Sequence, residues 1–322
     1  MSWHKGVEAF SGSGWYSSCM TTDPQNQARL LLTELANQAR QYARLMRFDK
    51  PIGIWLLLWP TLWGLWIAGK GHPEPRIFLV FVIGVIVMRS AGCVINDFAD
   101  RNLDGKVLRT QDRPLATGAV SPAEALVLFC ALGLIAIALV LTLDPLTQSL
   151  AVIGAILTIS YPFMKRLIAA PQLVLGAAFG WSIPMAFAAQ TGEIPRLAWL
   201  IWLAVIVWAV IYDTIYAMVD REDDLKLGIK STAILFGGTD VFIITLLQII
   251  LMFAFWLIGA AAHLGAWYFS ATLFTGLFFI YQFLLIRHRQ PDACFRAFLN
   301  NNYVGAAIFI GILLDYTFSA AV

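Results

Sequence analysis

From residue 52 onward the chain is built of long apolar runs separated by short polar stretches. A membrane-spanning helix needs about 20 mostly apolar residues to cross the hydrocarbon core. Nine segments meet that need: roughly 52–69, 77–97, 122–142, 147–164, 172–190, 197–217, 240–262, 266–286 and 301–318. The runs are continuous rather than alternating, which predicts helices and argues against a barrel. The pattern therefore predicts an all-α membrane protein with about nine transmembrane helices in one bundle. Pro60 and Pro184 fall inside predicted spans, where packed neighbours can satisfy the freed backbone groups. Gly176 and Gly180 form a GxxxG pair, a pattern associated with close helix packing.

Ahead of the first run the sequence is polar to mixed. Met1–Gln25 reads as a disordered lead-in; it lacks the short basic and apolar regions of a signal peptide. Glu8, Asp23 and Glu34 also make this region a poor transit peptide. Between Asn26 and Arg47 the apolar residues Leu30, Leu31, Leu35, Ala39, Ala43 and Met46 recur near helical spacing, which predicts an amphipathic helix lying on the membrane. The expected organisation is a tail with an interfacial helix over 1–43, then a transmembrane domain over 44–322.

Composition sharpens this picture. Of the 322 residues, 59% are hydrophobic and 13% charged, against about 25% charged in a soluble domain. Mean hydropathy is +0.73. Membrane lipid is an expected partner and nucleic acid is not. The four cysteines are scattered without CxxC spacing, so neither a thiolate metal site nor a disulfide framework is indicated. The N-terminal approach and the loops after the second, fourth, sixth and eighth runs carry 16 Lys and Arg, the opposite loops three. This bias predicts a cytoplasmic N-terminus and an outward C-terminus. A bacterial inner membrane is the expected home, with a mitochondrial inner membrane as the alternative.

Two acidic stretches stand out at the ends of apolar runs, both on the side predicted to be cytoplasmic. The first is NDFADRNLD, Asn96 to Asp104, with Asp97 and Asp100 between. On a continuous helix Asn96, Asp100 and Asp104 would share one face, with Asp97 turned away. The second is YDTIYAMVDREDD, Tyr212 to Asp224. On a continuous helix Asp213, Asp220 and Asp224 would share a face with Tyr216 beside them, and Asp223 would be adjacent. Together the two stretches hold eight of the 20 acidic residues. A solvated helix end is the simple explanation, yet negative charge near a helix C-terminus opposes the macrodipole. Carboxylates sharing a face also repel one another unless cations intervene. Binding of Mg²⁺, which takes oxygen ligands and commonly pairs one or two carboxylates with substrate phosphates, resolves both objections. Lys106, Arg109, Arg113, Lys165 and Arg166 lie on the same side. They are either ordinary cytoplasmic charges or cationic donors for a diphosphate.

Three stretches, NDFADRNLDGKVLRTQDRPLATG, YPFMKR and YDTIYAMVDREDDLKLGIKSTA, together resemble the UbiA superfamily of intramembrane prenyltransferases. The REDD…GIKSTA segment resembles its hydroxybenzoate-accepting branch. The resemblance covers roughly Ala43 to Phe318. It implies that Asn96, Asp97, Asp100 and Asp104, with Asp213, Asp220, Asp223 and Asp224, hold Mg²⁺ and a polyprenyl diphosphate. Asp100, Asp104, Asp220 and Asp224 would be the catalytic carboxylates. It further implies transfer of the polyprenyl group to 4-hydroxybenzoate, ortho to the hydroxyl, a step of ubiquinone biosynthesis. The acceptor's carboxylate needs a cation. Arg89, inside the second run and about two turns before Asn96, is the candidate; the other reading pairs it with a motif aspartate. Tyr161 and Tyr216 either line the site or are interfacial aromatics. Trp55, Trp59, Trp63 and Trp66 share a helix face suited to packing or to a lipid tail.

Two other readings compete. One keeps the superfamily and changes the acceptor to dihydroxynaphthoate, homogentisate or haem. The other is a divalent-cation transporter, opposed by the confinement of both acidic stretches to one side.

Overall fold

The computed structural model of the chain describes residues 24–106 and 109–318. The lead-in expected over Met1–Gln25 lies, but for its last two positions, outside those residues. The chain divides between Arg40 and Gln41 into two units. The first contains most of helix α1 (Pro24–Leu45), which leaves Leu30, Leu31, Leu32 and Leu35 exposed.

The second unit is helical, with no strand among the described residues. Its first helices are α2 (Ile52–Ala68), α3 (Pro75–Asp100), α4 (Pro122–Val140) and α5 (Pro145–Leu167). Proline begins three of them, where its missing N–H would have had no helical partner in any case. Ser121 and Glu124 form a capping box at the start of α4, and Asp144 caps α5 by accepting from the Thr147 amide at 3.0 Å.

The span predicted over 172–190 is two helices, α6 (Pro171–Gly180) and α7 (Ser182–Thr191). Pro184 lacks the N–H that would bond the Gly180 carbonyl, and the helix breaks there. Next come α8 (Arg196–Ala217), α9 (Arg221–Leu227), α10 (Thr232–Phe236), α11 (Asp240–Ala261), α12 (Ala266–Ile286) and α13 (Pro291–Phe318). Eight of the resulting stretches are long and apolar enough to cross a membrane, α6 with α7 and α10 with α11 each counting as one. With the shorter apolar α2, they account for the nine predicted segments.

α13 starts well before the predicted 301. Hydropathy misses its first turns because Asp292, Arg296 and Asn300 interrupt the apolar run there; Asn300 is buried and accepts from Gln282 Nε2 at 3.0 Å. Asn301 is fully buried and accepts from Trp208 Nε1 at 3.0 Å, and Asn302 accepts from Trp59 Nε1 at 2.8 Å. The tryptophans of α2 therefore serve mainly in packing: Trp63 stacks on Trp208 with ring centroids 5.3 Å apart, while Trp55 remains half-exposed. The GxxxG pair does bring helices together. A Cβ on Gly176 would lie 2.8 Å from the Ile206 Cα, so α6 and α8 touch backbone to backbone. Large apolar side chains such as Val127, Leu134, Phe242 and Leu273 face outward, as hydrocarbon surroundings allow.

Asp240, at the start of α11, is completely buried and binds two arginines. Arg221 Nη1 lies 2.9 Å from Oδ2 and Arg289 Nη2 lies 2.7 Å from Oδ1. Arg221 opens α9 and also donates to the carbonyls of Ala233 and Gly237. This triad fastens the segment carrying the second acidic stretch to α11 and to the α12–α13 turn.

Candidate active site

A cavity of about 1910 Å³ lies within the second unit. Its apolar walls come from α3, α4 and α5, through residues such as Phe81, Val85, Phe129, Ile137 and Val152. At its polar part it meets both acidic stretches: Asn96, Asp97, Arg113, Arg109, Asp213 and Tyr216 all line it.

The first stretch does not continue α3 through Asp104, as one shared face requires. α3 ends at Asp100, and Asp104 opens a separate 3₁₀ turn, Asp104–Lys106. The fold back changes which residues meet. Asp97, expected to turn away, is 1% exposed and forms ion pairs with Arg47 at 2.7 Å and Arg113 at 3.0 Å. Arg113 also binds Asp104 at 2.9 Å, so one guanidinium bridges two motif carboxylates. Asp100 lies 3.5 Å from Arg166, which donates to the Ala99 carbonyl.

The second stretch is broken too. Asp213 sits on α8, Asp220 at the N-cap position of α9, and Asp223 and Asp224 within α9. Asp213, Asp220 and Asp224 thus share no single helix face. Arg109, from the loop that follows the first stretch, reaches the second: its Nε donates to Asp220 Oδ1 at 2.8 Å, its Nη1 to the Tyr216 hydroxyl, and its Cζ stands 4.7 Å from the Tyr216 ring centroid. Asp223 pairs instead with Lys226 at 3.3 Å. Asp224 borders a separate small pocket by Ile229 and Ser231. The side chains of Lys106 and Lys165 lie outside the described structure.

Deeper in the cavity are Arg89, Tyr161 and Tyr212. Among the described residues, Asp97, Asp104, Asp100, Asp220 and Asp223 form ion pairs with Arg47, Arg113, Arg166, Arg109 and Lys226, and none of these pairs involves Arg89. Arg89 Nε is buried with no hydrogen-bond partner, and so is the Tyr212 hydroxyl. A buried donor without a partner costs free energy unless something fills the space before it.

A family model described as the UbiA prenyltransferase family matches residues 57–309. The chain belongs to the UbiA prenyltransferase family. A 4-hydroxybenzoate octaprenyltransferase of Coxiella burnetii is 56% identical over 285 residues, covering 88% of this chain and 99% of that one. The enzyme of the same name from Aeromonas hydrophila is 58% identical over 275 residues, covering 85% and 96%. Among solved structures, the apo UbiA homolog from Aeropyrum pernix K1 superposes with a TM-score of 0.74 at 26% identity, covering 81% of this chain and 97% of that one. A UbiA homolog from Archaeoglobus fulgidus, bound to GPP and Mg²⁺, shares the fold, with a TM-score of 0.65 at 19% identity and 83% and 99% coverage.

For this UbiA family member, the donor set tests whether a magnesium ion suits the site. The acidic residues offer only hard oxygen ligands. Among the described residues no three of them converge tightly enough to enclose an ion, so the eight expected ligands do not form a closed cage. Magnesium does not need one, because one or two carboxylates, waters and substrate phosphates complete its shell. Burial pushes the Asp104 carboxyl above its usual value; Asp97 and Asp100 push the same way and Arg113 opposes. A cation beside these buried carboxylates favours their charged form, and the residues present fit Mg²⁺.

Three site features are absent from the sequence expectations. Arg47 reads in the sequence as one more cytoplasmic charge, yet it grips the most buried motif aspartate, Asp97. Tyr212 adjoins Asp213, and its place at the edge of the acidic stretch was the available signal. Gly53 lies against the Arg89 guanidinium, and nothing in the sequence marks it.

Proposed function

We propose that this UbiA family enzyme transfers a polyprenyl group from its diphosphate to the ring carbon of 4-hydroxybenzoate ortho to the hydroxyl. The carrying observation is that both acidic stretches meet one apolar cavity, through Asn96 and Asp97 on one side and Asp213 and Tyr216 on the other. At about 1910 Å³ the cavity exceeds the roughly 300–1,000 Å³ of an ordinary ligand pocket, as a long isoprenoid tail requires. The names of the relatives support an octaprenyl tail and 4-hydroxybenzoate as acceptor.

The site residues divide by chemistry. Asn96, Asp97, Asp100 and Asp104 on one side, with Asp213, Asp220, Asp223 and Asp224 on the other, hold the magnesium diphosphate; Asp100, Asp104, Asp220 and Asp224 are its principal carboxylates. Mg²⁺, when bound, neutralises charge that develops on the departing diphosphate. Arg109, Arg113 and Arg166, with Lys106 and Lys165, donate to phosphate oxygens, exchanging carboxylate partners for phosphate. Tyr216 orients Arg109. The allylic C–O bond breaks, diphosphate leaves, and the ring carbon attacks the allylic cation; the ring proton is then lost. Apolar walls and the membrane keep water from quenching that cation. Arg89 receives the acceptor's carboxylate, with Tyr161 beside it. The site faces the cytoplasm of a bacterial inner membrane, as the distribution of Lys and Arg supports.

The test is transfer of labelled 4-hydroxybenzoate into the organic phase by membranes carrying the protein, octaprenyl diphosphate and either Mg²⁺ or EDTA. Label should move only with Mg²⁺ and be lost in Asp100→Ala and Asp220→Ala. No transfer by correctly inserted protein would refute the acceptor assignment. A panel of dihydroxynaphthoate, homogentisate and haem would then identify the ring.

A further inference from the structure

Arg89 is held by two residues that carry no charge. On one side is Gly53, in the first turn of α2. A Cβ built there would lie 2.2 Å from Arg89 Nε, 2.3 Å from Nη2 and 2.6 Å from Cζ. Those separations are far inside van der Waals contact, so the absence of a side chain at 53 is what lets the guanidinium lie against the α2 backbone. On another side is Phe179 of α6, whose ring centroid is 5.9 Å from Cζ, within cation–π range. All three residues line the cavity, and Arg89 Nε is buried without a partner.

We propose that Gly53 and Phe179 form a slot that sets the position of the Arg89 guanidinium, and through it selects aromatic acceptors that carry a carboxylate. This rests on the reading that Arg89 receives that carboxylate. A guanidinium binds a carboxylate well only when its planar fork is correctly aimed. Any side chain at 53 must displace the fork, because the alternative is to move α2 from its seat on α7 and α13. The clashing atoms are the far end of a flexible side chain, so an alanine there leaves the fold intact and relocates the charge. Gly53 and Phe179 touch Arg89, not the reacting atoms; they are positioning residues.

The experiment compares 4-hydroxybenzoate with neutral 4-hydroxybenzamide, using full-length protein at saturating Mg²⁺ and octaprenyl diphosphate. The parent protein should prefer the acid. Gly53→Ala should raise the KM for the acid roughly 10- to 100-fold, the value of a hydrogen bond to a charged group. It should also bring the acid-to-amide ratio of kcat/KM towards one, and leave the KM for the diphosphate within about twofold. Arg89→Gln tests the underlying reading with the same ratio. If Arg89→Gln collapses the ratio and Gly53→Ala preserves it, the slot is overturned and the reading stands. If Arg89→Gln preserves the ratio, or the parent takes both acceptors equally, the reading falls and the slot with it. Phe179→Leu adds no atoms near the guanidinium and guards against misfolding of Gly53→Ala. It should lower the ratio by a smaller factor, and an unchanged ratio would overturn the role of the ring.

Discussion

Replacing Asp240 by alanine would remove the carboxylate from two arginines at once. The Asp240 side chain has no exposure, whereas Arg221 is 22% and Arg289 40% exposed. Breaking a buried pair by deleting one partner costs about 3–5 kcal/mol. Water can take over much of the solvation of Arg289 but little of that of Arg221, so about 2–4 kcal/mol is expected for Asp240→Ala. Asp240→Asn keeps a hydrogen-bond acceptor and loses the charge, and should cost about 1–2 kcal/mol. The assay is reversible unfolding of the detergent-solubilised protein, read by helical signal against denaturant. Arg221 directly follows Asp220, so Asp240→Ala should also raise the KM for the diphosphate and leave that for the acceptor unchanged. A stability change under about 0.5 kcal/mol would refute the reasoning, because it would mean the two arginines are adequately solvated without their shared carboxylate.

Other consequences are equally direct. The Asp104 carboxyl sits above its unfolded value of 3.8, so its contribution to stability is full below that value and is lost as pH rises through the raised one. Asp104→Asn should flatten that fall in melts taken without metal, and an unchanged slope would assign the titration elsewhere. Gly176→Ala should push α6 from α8 and cost about 1–3 kcal/mol, seen as a lowered melting temperature. Ser121→Ala removes the capping box of α4 and should cost about 1 kcal/mol in the same assay, with kcat unaffected.

Much of the fold was legible because a membrane demands so much of a sequence. Every spanning stretch had to be an apolar run, and the runs match α4, α8, α11 and α12 to within two residues at either end. The misreadings have local causes. α13 was cut short because Asp292, Arg296 and Asn300 interrupt the apolar run ahead of 301, and only the fold shows Asn300 accepting from Gln282 inside the bundle. The break between α6 and α7 needed Pro184 to be read as a missing donor to Gly180, not merely as a tolerated residue. The acidic residues were recognisable by type and spacing. Their arrangement was not, because helical spacing was extended past Asp100 and past Ala217, where the helices stop. Partners such as Arg47 and Gly53 come from elements distant in sequence, and one-dimensional spacing carries no trace of them.

The arginines at the acidic stretches have a consequence for how the enzyme is assembled. Asp97, Asp100, Asp104 and Asp220 are matched by Arg47, Arg166, Arg113 and Arg109, internal counter-ions supplied by the chain itself. Domains whose ligands cluster uncompensated fold only around their metal; here the scaffold is prepaid in charge and can be inserted and folded before any ion arrives. Loading the donor then resembles ion exchange on a resin more than the filling of a void. A chelator should accordingly halt turnover while leaving the bundle folded, its melting temperature lowered only by the binding free energy of the lost ion.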